Sequence, residues 1–305
     1  MMLCLIILPA AYIIDIIAGE PYIHPVIFIG KTISFFKKYF YGDSIIRGFL
    51  FELFIIIINV APVMFLLIIL KKYVFILYIL FSIYILKSTF AVKSMNQHIM
   101  RIINSYNIGN IQMARHYLSY VVRRDTNIND ELIFSAAIET IAEGFVDGFL
   151  SEVLIFPFLG IFGSYLFRVI NTMDSNIAYK NNDYKNFGRT AAILDTMINY
   201  IPARLSPYFL YIAARFYYKL KFIFPVNTTE SYNAGYSMCF MSYILNIRLE
   251  KPGEYIINND KKPPNIKDVE MALKIYNTAS LIAILTSLII TLLLFYLNIY
   301  SVIII

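Results

Sequence analysis

Three acids in the run DELIFSAAIETIAEGFVDGFLSE are spaced for chemistry. Glu139, Glu143 and Asp147 recur every four residues, which on a helix stacks their side chains along one face. Ile138, Ile141, Ala142, Phe145 and Phe149 fall on the opposite side, the pattern of an amphipathic helix. A solvated surface helix would show the same stripe, but two features weigh against it. Like charges four apart destabilise a helix by about 0.2–0.5 kcal/mol per pair. From residue 127 to 167, moreover, six acids meet no Lys or Arg. A row of unneutralised carboxylates calls for a cation, and oxygen ligands point to Mg2+, held by one or two carboxylates and the phosphates of a substrate.

Cations of the right kind lie in neighbouring stretches. VVRRDT supplies Arg123, Arg124, Asp125 and Thr126, YIPARL supplies Arg204 in what reads as a turn, and Arg168 closes an apolar run just before Asn171. The planar fork of arginine bonds both oxygens of a phosphate or carboxylate at once. For Arg124 and Arg204 that role outweighs an interfacial contact to lipid phosphate, and for Arg168 the two readings balance. The polar stretch 170–207 is a candidate substrate cradle. Asn171 and Asp174 are three apart and Asp195 and Asn199 four apart, so each pair can share a helix face. His24 stands beside Pro25 and balances between a site residue and a hydrogen-bonded structural group. Cys4 and Cys239 are too few and too distant for a disulfide framework or a metal site and read as buried thiols.

The elements that carry these residues are apolar. The chain has 305 residues, 59% hydrophobic and 15% charged, with a mean hydropathy of +0.66. Soluble domains run near 25% charged. Segments 49–70, 74–86 and 278–305 are each apolar enough for membrane helices, the last without a single charge. The fold expected is all-α, a polytopic integral membrane bundle forming one domain over 1–305, with polar segments at about 94–148 and 171–277 carrying the site. The N-terminal run lacks the basic start of a signal peptide and reads as a retained helix. Lys31, Lys37, Lys38 and Arg47, and later Lys87, Lys93, Arg101 and Arg115, mark loops that stay cytoplasmic. The net charge of +6 therefore reflects topology and anionic lipid rather than nucleic acid. Residues 149–170 are long enough to cross once, which would place the acid row and the cradle on opposite faces. Glu152, Pro157, Gly160 and Gly163 break that segment, so it is expected to fold back as a buried hairpin.

Taken in order, these motifs resemble the adenosylcobinamide-phosphate synthase family of cobalamin biosynthesis. The resemblance rests on DIIAGEPYIHPVIFIGK with Asp15, Gly19, Pro21, His24, Pro25 and Gly30, then RRDT, AAIETIAEGFVDG and FRVINTMDS. It continues through Tyr184, Phe187–Gly188, Leu194–Asp195, NYIPARL and NAG at 233–235. It implies a multi-pass protein of the cell membrane with its active site facing the cytoplasm. The implied reaction joins (R)-1-amino-2-propanol, as its phosphate, or ethanolamine phosphate to a propionate carboxylate of adenosylcobyric acid. The class is an ATP-dependent amide-forming ligase, with ATP and Mg2+ as cofactors and an acyl phosphate as intermediate.

The implied catalytic residues are Glu139, Glu143, Asp147, Asp174 and Asp195, with Glu143, Asp147 and Asp174 as metal ligands. Arg124, Asp125, Thr126, Asn171, Thr172, Asn199, Arg204, Asn233 and His24 would bind substrate. No G-x-x-x-x-G-K-[ST] loop is present, so ATP must bind by another arrangement. The chain departs from the family pattern at Gly144, Ser151–Glu152, Asn176, Thr196 and Tyr232. Partners implied are the corrinoid, the bilayer and either a second copy or other membrane proteins of the pathway. The alternative is a non-catalytic binding, transport or signalling protein on the same scaffold.

Overall fold

Proline, glycine and asparagine punctuate an otherwise continuous helical sequence. A computed structural model describes residues 3–20, 24–177 and 186–297; Pro21 and Tyr184 of the family motifs lie outside them. The helices are α1 (Cys4–Ala18), α2 (Pro25–Phe40), α3 (Ile45–Tyr73), α4 (Phe75–Lys87), α5 (Val92–Asn107), α6 (Ile111–Leu118) and α7 (Asp130–Phe145). A π-helical turn, Val146–Leu150, leads into α8 (Ser151–Ile177), followed by α9 (Arg189–Ala214), α10 (Ala234–Leu245) and α11 (Ile266–Tyr296). Asn110 and Asn129 cap α6 and α7 with side-chain oxygens on Met113 N–H and Leu132 N–H. Asn265 and Asp268 form a reciprocal capping box at the start of α11.

The all-α membrane architecture read from composition is what the structure has. Among the described residues, four helical runs are long and apolar enough to cross a membrane: Ile45–Tyr73, Phe75–Asn107, Asp130–Ile177 and Ile266–Tyr296. At 29 residues α3 spans about 43 Å. Within the polar segment 171–277 lies a short antiparallel hairpin, β1 (Leu249–Lys251) with β2 (Tyr255–Ile257). The polar stretch 170–207 is largely α8 and α9 among its described residues.

By its contacts the chain divides into two compact units, each assembled from segments distant in sequence. The first holds Met1–Ala91, Ser151–Asn199 and Ile284–Ile305; the second holds Val92–Leu150 and Tyr200–Ala283. In the first, α1 packs on α4, α2 on α3 and α8, and α3 on α4 and α8. Its core includes Ile7, Leu8, Ile29, Ile33, Phe51 and Phe187. In the second, α7 is the central helix, touching α5, α6, α10 and β1. There Asn96 and Asn277 exchange amide hydrogen bonds of 2.7 Å.

α8 does not run straight. Gly160 has φ 58° and ψ −148°, a conformation open in practice only to glycine. The chain reverses there. Ser164 Oγ donates to the Glu152 carbonyl at 2.8 Å, and Arg168 Nη2 meets Glu152 Oε1 at 2.7 Å. In a straight helix residues 152 and 168 would lie about 24 Å apart. The expected fold-back within 149–170 is therefore present, as two helical arms zipped by side chains. Gly160→Ala is expected to cost about 1–3 kcal/mol, read as a fall in melting temperature of the detergent-purified protein. An unchanged melt would mean the reversal does not need this backbone conformation.

Candidate functional site

In the second unit the chemistry gathers on α7. Glu139 is 5% exposed, and both of its oxygens are engaged. Oε2 accepts from Arg124 Nη2 at 2.8 Å and from Tyr255 OH at 3.1 Å, and Oε1 accepts from Ser135 Oγ at 2.8 Å. Ser135 Oγ also accepts the Glu250 N–H at 2.7 Å, tying β1 to α7. Burial, reinforced by the Glu139 and Glu143 charges, pushes the Tyr255 phenol above its ordinary value, so it stays a donor. The sequence argument for an unneutralised acid row needs correcting here. Its cations come from outside 127–167: Arg124 pairs with Glu139, and the charges of Lys251 and Arg124 act on Glu143. The row is not straight either, because Asp147 sits in the π turn, where the α-helical four-residue repeat no longer holds.

Glu143 and Asp147 are half-buried. Among the described residues no group of three or more His, Cys, Asp or Glu side chains is placed to hold a metal. Protein ligands alone therefore do not make a cage, and Mg2+ would fit only as carboxylate plus substrate phosphate. Arg124 Nη1 is buried and has no partner among the described residues, so half of its fork is unused. Asp125 is exposed and accepts the Asn127 N–H at 2.9 Å, shaping the loop that presents Arg124; Thr126 is half-buried beside it. A cavity of about 180 Å3 opens next to Ser135, lined by Asn129, Glu131, Arg248 and Glu250.

Arg204 also belongs to this unit and lies within α9, not in a turn. Its guanidinium is stacked between the rings of Tyr200 and Tyr236, 3.3 and 4.6 Å from their centroids. Nη1 donates to the Tyr200 carbonyl at 2.8 Å and to Asn233 Oδ1 at 3.3 Å. Tyr236 in turn contacts Phe224, within an aromatic cluster that includes Tyr208, Phe222 and Phe240.

In the first unit the α8 hairpin builds a separate network. Arg168 binds Glu152, the Thr89 carbonyl and Asn171 Oδ1. Asn171 Nδ2 donates to Asp195 Oδ1 at 3.3 Å. Ser151 Oγ donates to Asn199 Oδ1 at 2.5 Å. Burial pushes the Asp195 carboxyl up, while Asn171, Asn199 and the Arg168 charge oppose it. Glu152 Oε2 is buried without a partner among the described residues. Thr172 donates to the Arg168 carbonyl, one turn back along α8. The Asp174 charge acts on Glu52, whose Oε1 accepts the Ala191 N–H at the start of α9. Of the three metal ligands implied by resemblance, Asp174 thus lies in this unit and Glu143 and Asp147 in the other.

His24 is the N-cap of α2, its Nδ1 accepting the Val26 N–H at 3.2 Å with Pro25 next in line. Burial holds its imidazole below the ordinary 6.5, with Glu20 opposing and Lys87 and Arg168 reinforcing. The folded chain thus binds fewer protons at this site than the unfolded one. Stability is full above about 6.5 and is lost as pH falls below it through the folded-state value. Melting curves against pH should show this loss in wild type and less of it in His24→Asn, which caps without titrating. Parallel curves would assign the pH dependence to another group.

Sequence reasoning missed Ser135, Lys251 and Tyr255 in one unit and Ser151 in the other. Tyr255 is one of 25 tyrosines and gave no signal. Glu152 and Arg168 were visible as charges in an apolar run, but their pairing was not. A fully buried Asp15–Lys87 pair at 3.6 Å between α1 and α4 was also invisible.

Fold and site together define a helical membrane protein with buried, charge-bearing polar networks. The chain belongs to the CobD/Cbib protein family, whose model matches residues 8–294. It is 45% identical over 284 residues to the probable cobalamin biosynthesis protein CobD of Thermoplasma acidophilum, covering 90% of this chain and 93% of that one. It is 32% identical over 291 residues to the probable cobalamin biosynthesis protein CobD of Archaeoglobus fulgidus, covering 92% of each. A bacterial relative, the cobalamin biosynthesis protein CobD of Dehalococcoides mccartyi, is 31% identical over 296 residues, with 93% and 96% covered. No solved structure matches the chain.

Proposed function

We propose that the protein acts in cobalamin biosynthesis as an amide-forming ligase of the cytoplasmic membrane. It would join (R)-1-amino-2-propanol phosphate, or ethanolamine phosphate, to a propionate carboxylate of adenosylcobyric acid, giving adenosylcobinamide phosphate. Family membership and the names of the relatives support the pathway. The observation that carries the reaction class is the half-used fork of Arg124, held by Glu139, which Ser135 and Tyr255 fix in turn, with the Arg124 charge acting on Glu143. A fixed guanidinium with a spare donor suits the carboxylate or phosphate on which an acyl transfer turns. Glu143 and Asp147 would hold Mg2+ together with the phosphates of ATP. ATP would supply the phosphoryl group that makes the propionate oxygen part of a phosphate leaving group, ADP being released. The amine would displace that phosphate and lose a proton, and the metal would offset the phosphate charge. Arg204, stacked between Tyr200 and Tyr236, offers a second anion contact next to an aromatic face that suits a flat macrocycle. ATP and the corrin precursor are cytosolic, so the site would face the cytoplasm.

The test is growth. The chain is expressed in a cell that lacks its own cobinamide-forming step and is fed cobyric acid. Wild type is expected to restore growth, and Glu143→Gln, inserted to the same level, is expected not to. Failure of wild type at normal membrane levels would favour a carrier for a corrinoid anion, a reading to which the buried Glu152–Arg168 pair also lends itself.

A further inference from the structure

We propose that the segment between α9 and α10, residues 215–226, lies in the headgroup layer of an anionic bilayer and seats the second unit on the membrane surface. Depth is the first ground. Lys274 carries the last charged side chain of the sequence, and beyond it α11 runs on to Tyr296, about 33 Å at 1.5 Å per residue. A hydrocarbon core of about 30 Å takes up nearly all of that length, so α11 enters the core within a turn of Thr278. The Tyr217 hydroxyl is 2.9 Å from Thr278 Oγ1, which fixes residue 217 at the level of entry. Tyrosine is enriched at that level, with its ring in lipid and its hydroxyl toward water.

The face that the segment presents is the second ground. Residues 218–226 form neither helix nor strand, and in extended chain successive side chains point to opposite sides. Tyr218, Leu220 and Phe222 are half-buried, and the Phe222 ring stacks on Tyr208 at 4.7 Å and meets Phe240 at 5.6 Å. Lys219, Lys221 and Ile223 are exposed, and Phe216 and Val226 at the two ends are 74% and 78% exposed. Tyr243 OH donates to the Lys221 carbonyl at 3.0 Å and Arg215 Nη1 to the Leu220 carbonyl at 3.1 Å, so this face is held in place. No acid occurs between Asp195 and Glu230. Lysines and large apolar side chains on one face suit the boundary of an anionic membrane, where the apolar groups enter the acyl region and the ammonium groups meet phosphate. A second copy docked about a two-fold axis would set these cations against each other, and a nucleic acid would leave Phe216, Ile223 and Val226 in water.

The test needs no catalysis. Full-length protein carrying Cys4→Ser and Cys239→Ser receives one cysteine for a fluorophore, as Phe216→Cys or Val226→Cys. The control is Asp260→Cys, in the loop before α11, whose first turn is about 18 Å from Thr278 along the helix. Each protein is placed in nanodiscs of phosphatidylcholine, alone or with about one-quarter phosphatidylglycerol, and a trace of lipid bearing a nitroxide just below its headgroup serves as quencher. The probes at 216 and 226 are expected to be quenched severalfold more than the probe at 260, and more strongly in the anionic discs. Lys219→Gln combined with Lys221→Gln, both at exposed positions, is expected to cancel the gain from anionic lipid with the melting temperature unchanged. The proposal is overturned if quenching at 216 and 226 matches that at 260, if it is equal in the two lipids, or if the double lysine variant keeps the anionic gain. Close approach of two copies at residue 216, read in detergent as dipolar coupling between nitroxide labels, would assign the segment to a dimer interface and overturn it as well.

Discussion

Arg168→Ala is expected to destabilise the protein by about 3–5 kcal/mol, the usual cost of removing one partner of a buried ion pair. The guanidinium makes a 2.7 Å contact to Glu152, and the carboxylate it would abandon is 1% exposed. The same substitution strips a donor from the Thr89 carbonyl and from Asn171. Glu152→Gln should cost less, because a neutral amide can still accept from Arg168. The double variant Glu152→Met, Arg168→Met separates charge from packing. Apolar replacement of both partners is often neutral or stabilising, so it should regain most of the lost stability. Melting in detergent reads both effects. A cost below about 1 kcal/mol for Arg168→Ala would mean that water, not protein, surrounds the pair.

Arg124→Ala is expected to lower product formation by about 10²–10³, the loss found when a fixed donor to a reacting anion is removed. Arg124→Lys tells more. A lysine can still meet Glu139, but a point charge cannot keep one donor there and offer another to a ligand. Its loss should approach that of alanine, with a melting temperature near wild type. Turnover of the lysine variant within threefold of wild type would remove the fork from the mechanism. Tyr255→Phe should act more weakly and mainly on KM, since Ser135 and Arg124 still hold Glu139.

The sequence revealed most about the parts whose signal is local. Long apolar runs, and the breakers Pro157, Gly160 and Gly163, announced membrane helices and the reversal within α8. The spacing of Asp195 and Asn199 put them on one side of α9. Long-range pairing was not legible. Arg124 meets Glu139 across 15 residues, and Tyr255 reaches the same oxygen across 116. Nothing in composition or periodicity selects one tyrosine among 25. The acid row was seen, but its neutralisation was sought only within its own segment, whereas the cations arrive from the loop before α7 and from β1. The π turn hid the true position of Asp147, because a four-residue spacing assumes an unbroken α-helix. Division into two units escaped reading for the same reason, since each is a mosaic of distant segments.

The reversal at Gly160 also constrains how the protein is made. Glu152 and Arg168 leave the ribosome sixteen residues apart, a delay of roughly 1–3 s at common elongation rates. During that interval a lone acid on an apolar arm would cost about 2.5–3.5 kcal/mol at the centre of a bilayer. The translocon therefore does best to hold the first arm until the second emerges and release both sideways into lipid as one neutral hairpin. Biogenesis of this segment is a two-arm event, and the glycine that bends it sets the moment at which the charges can first meet.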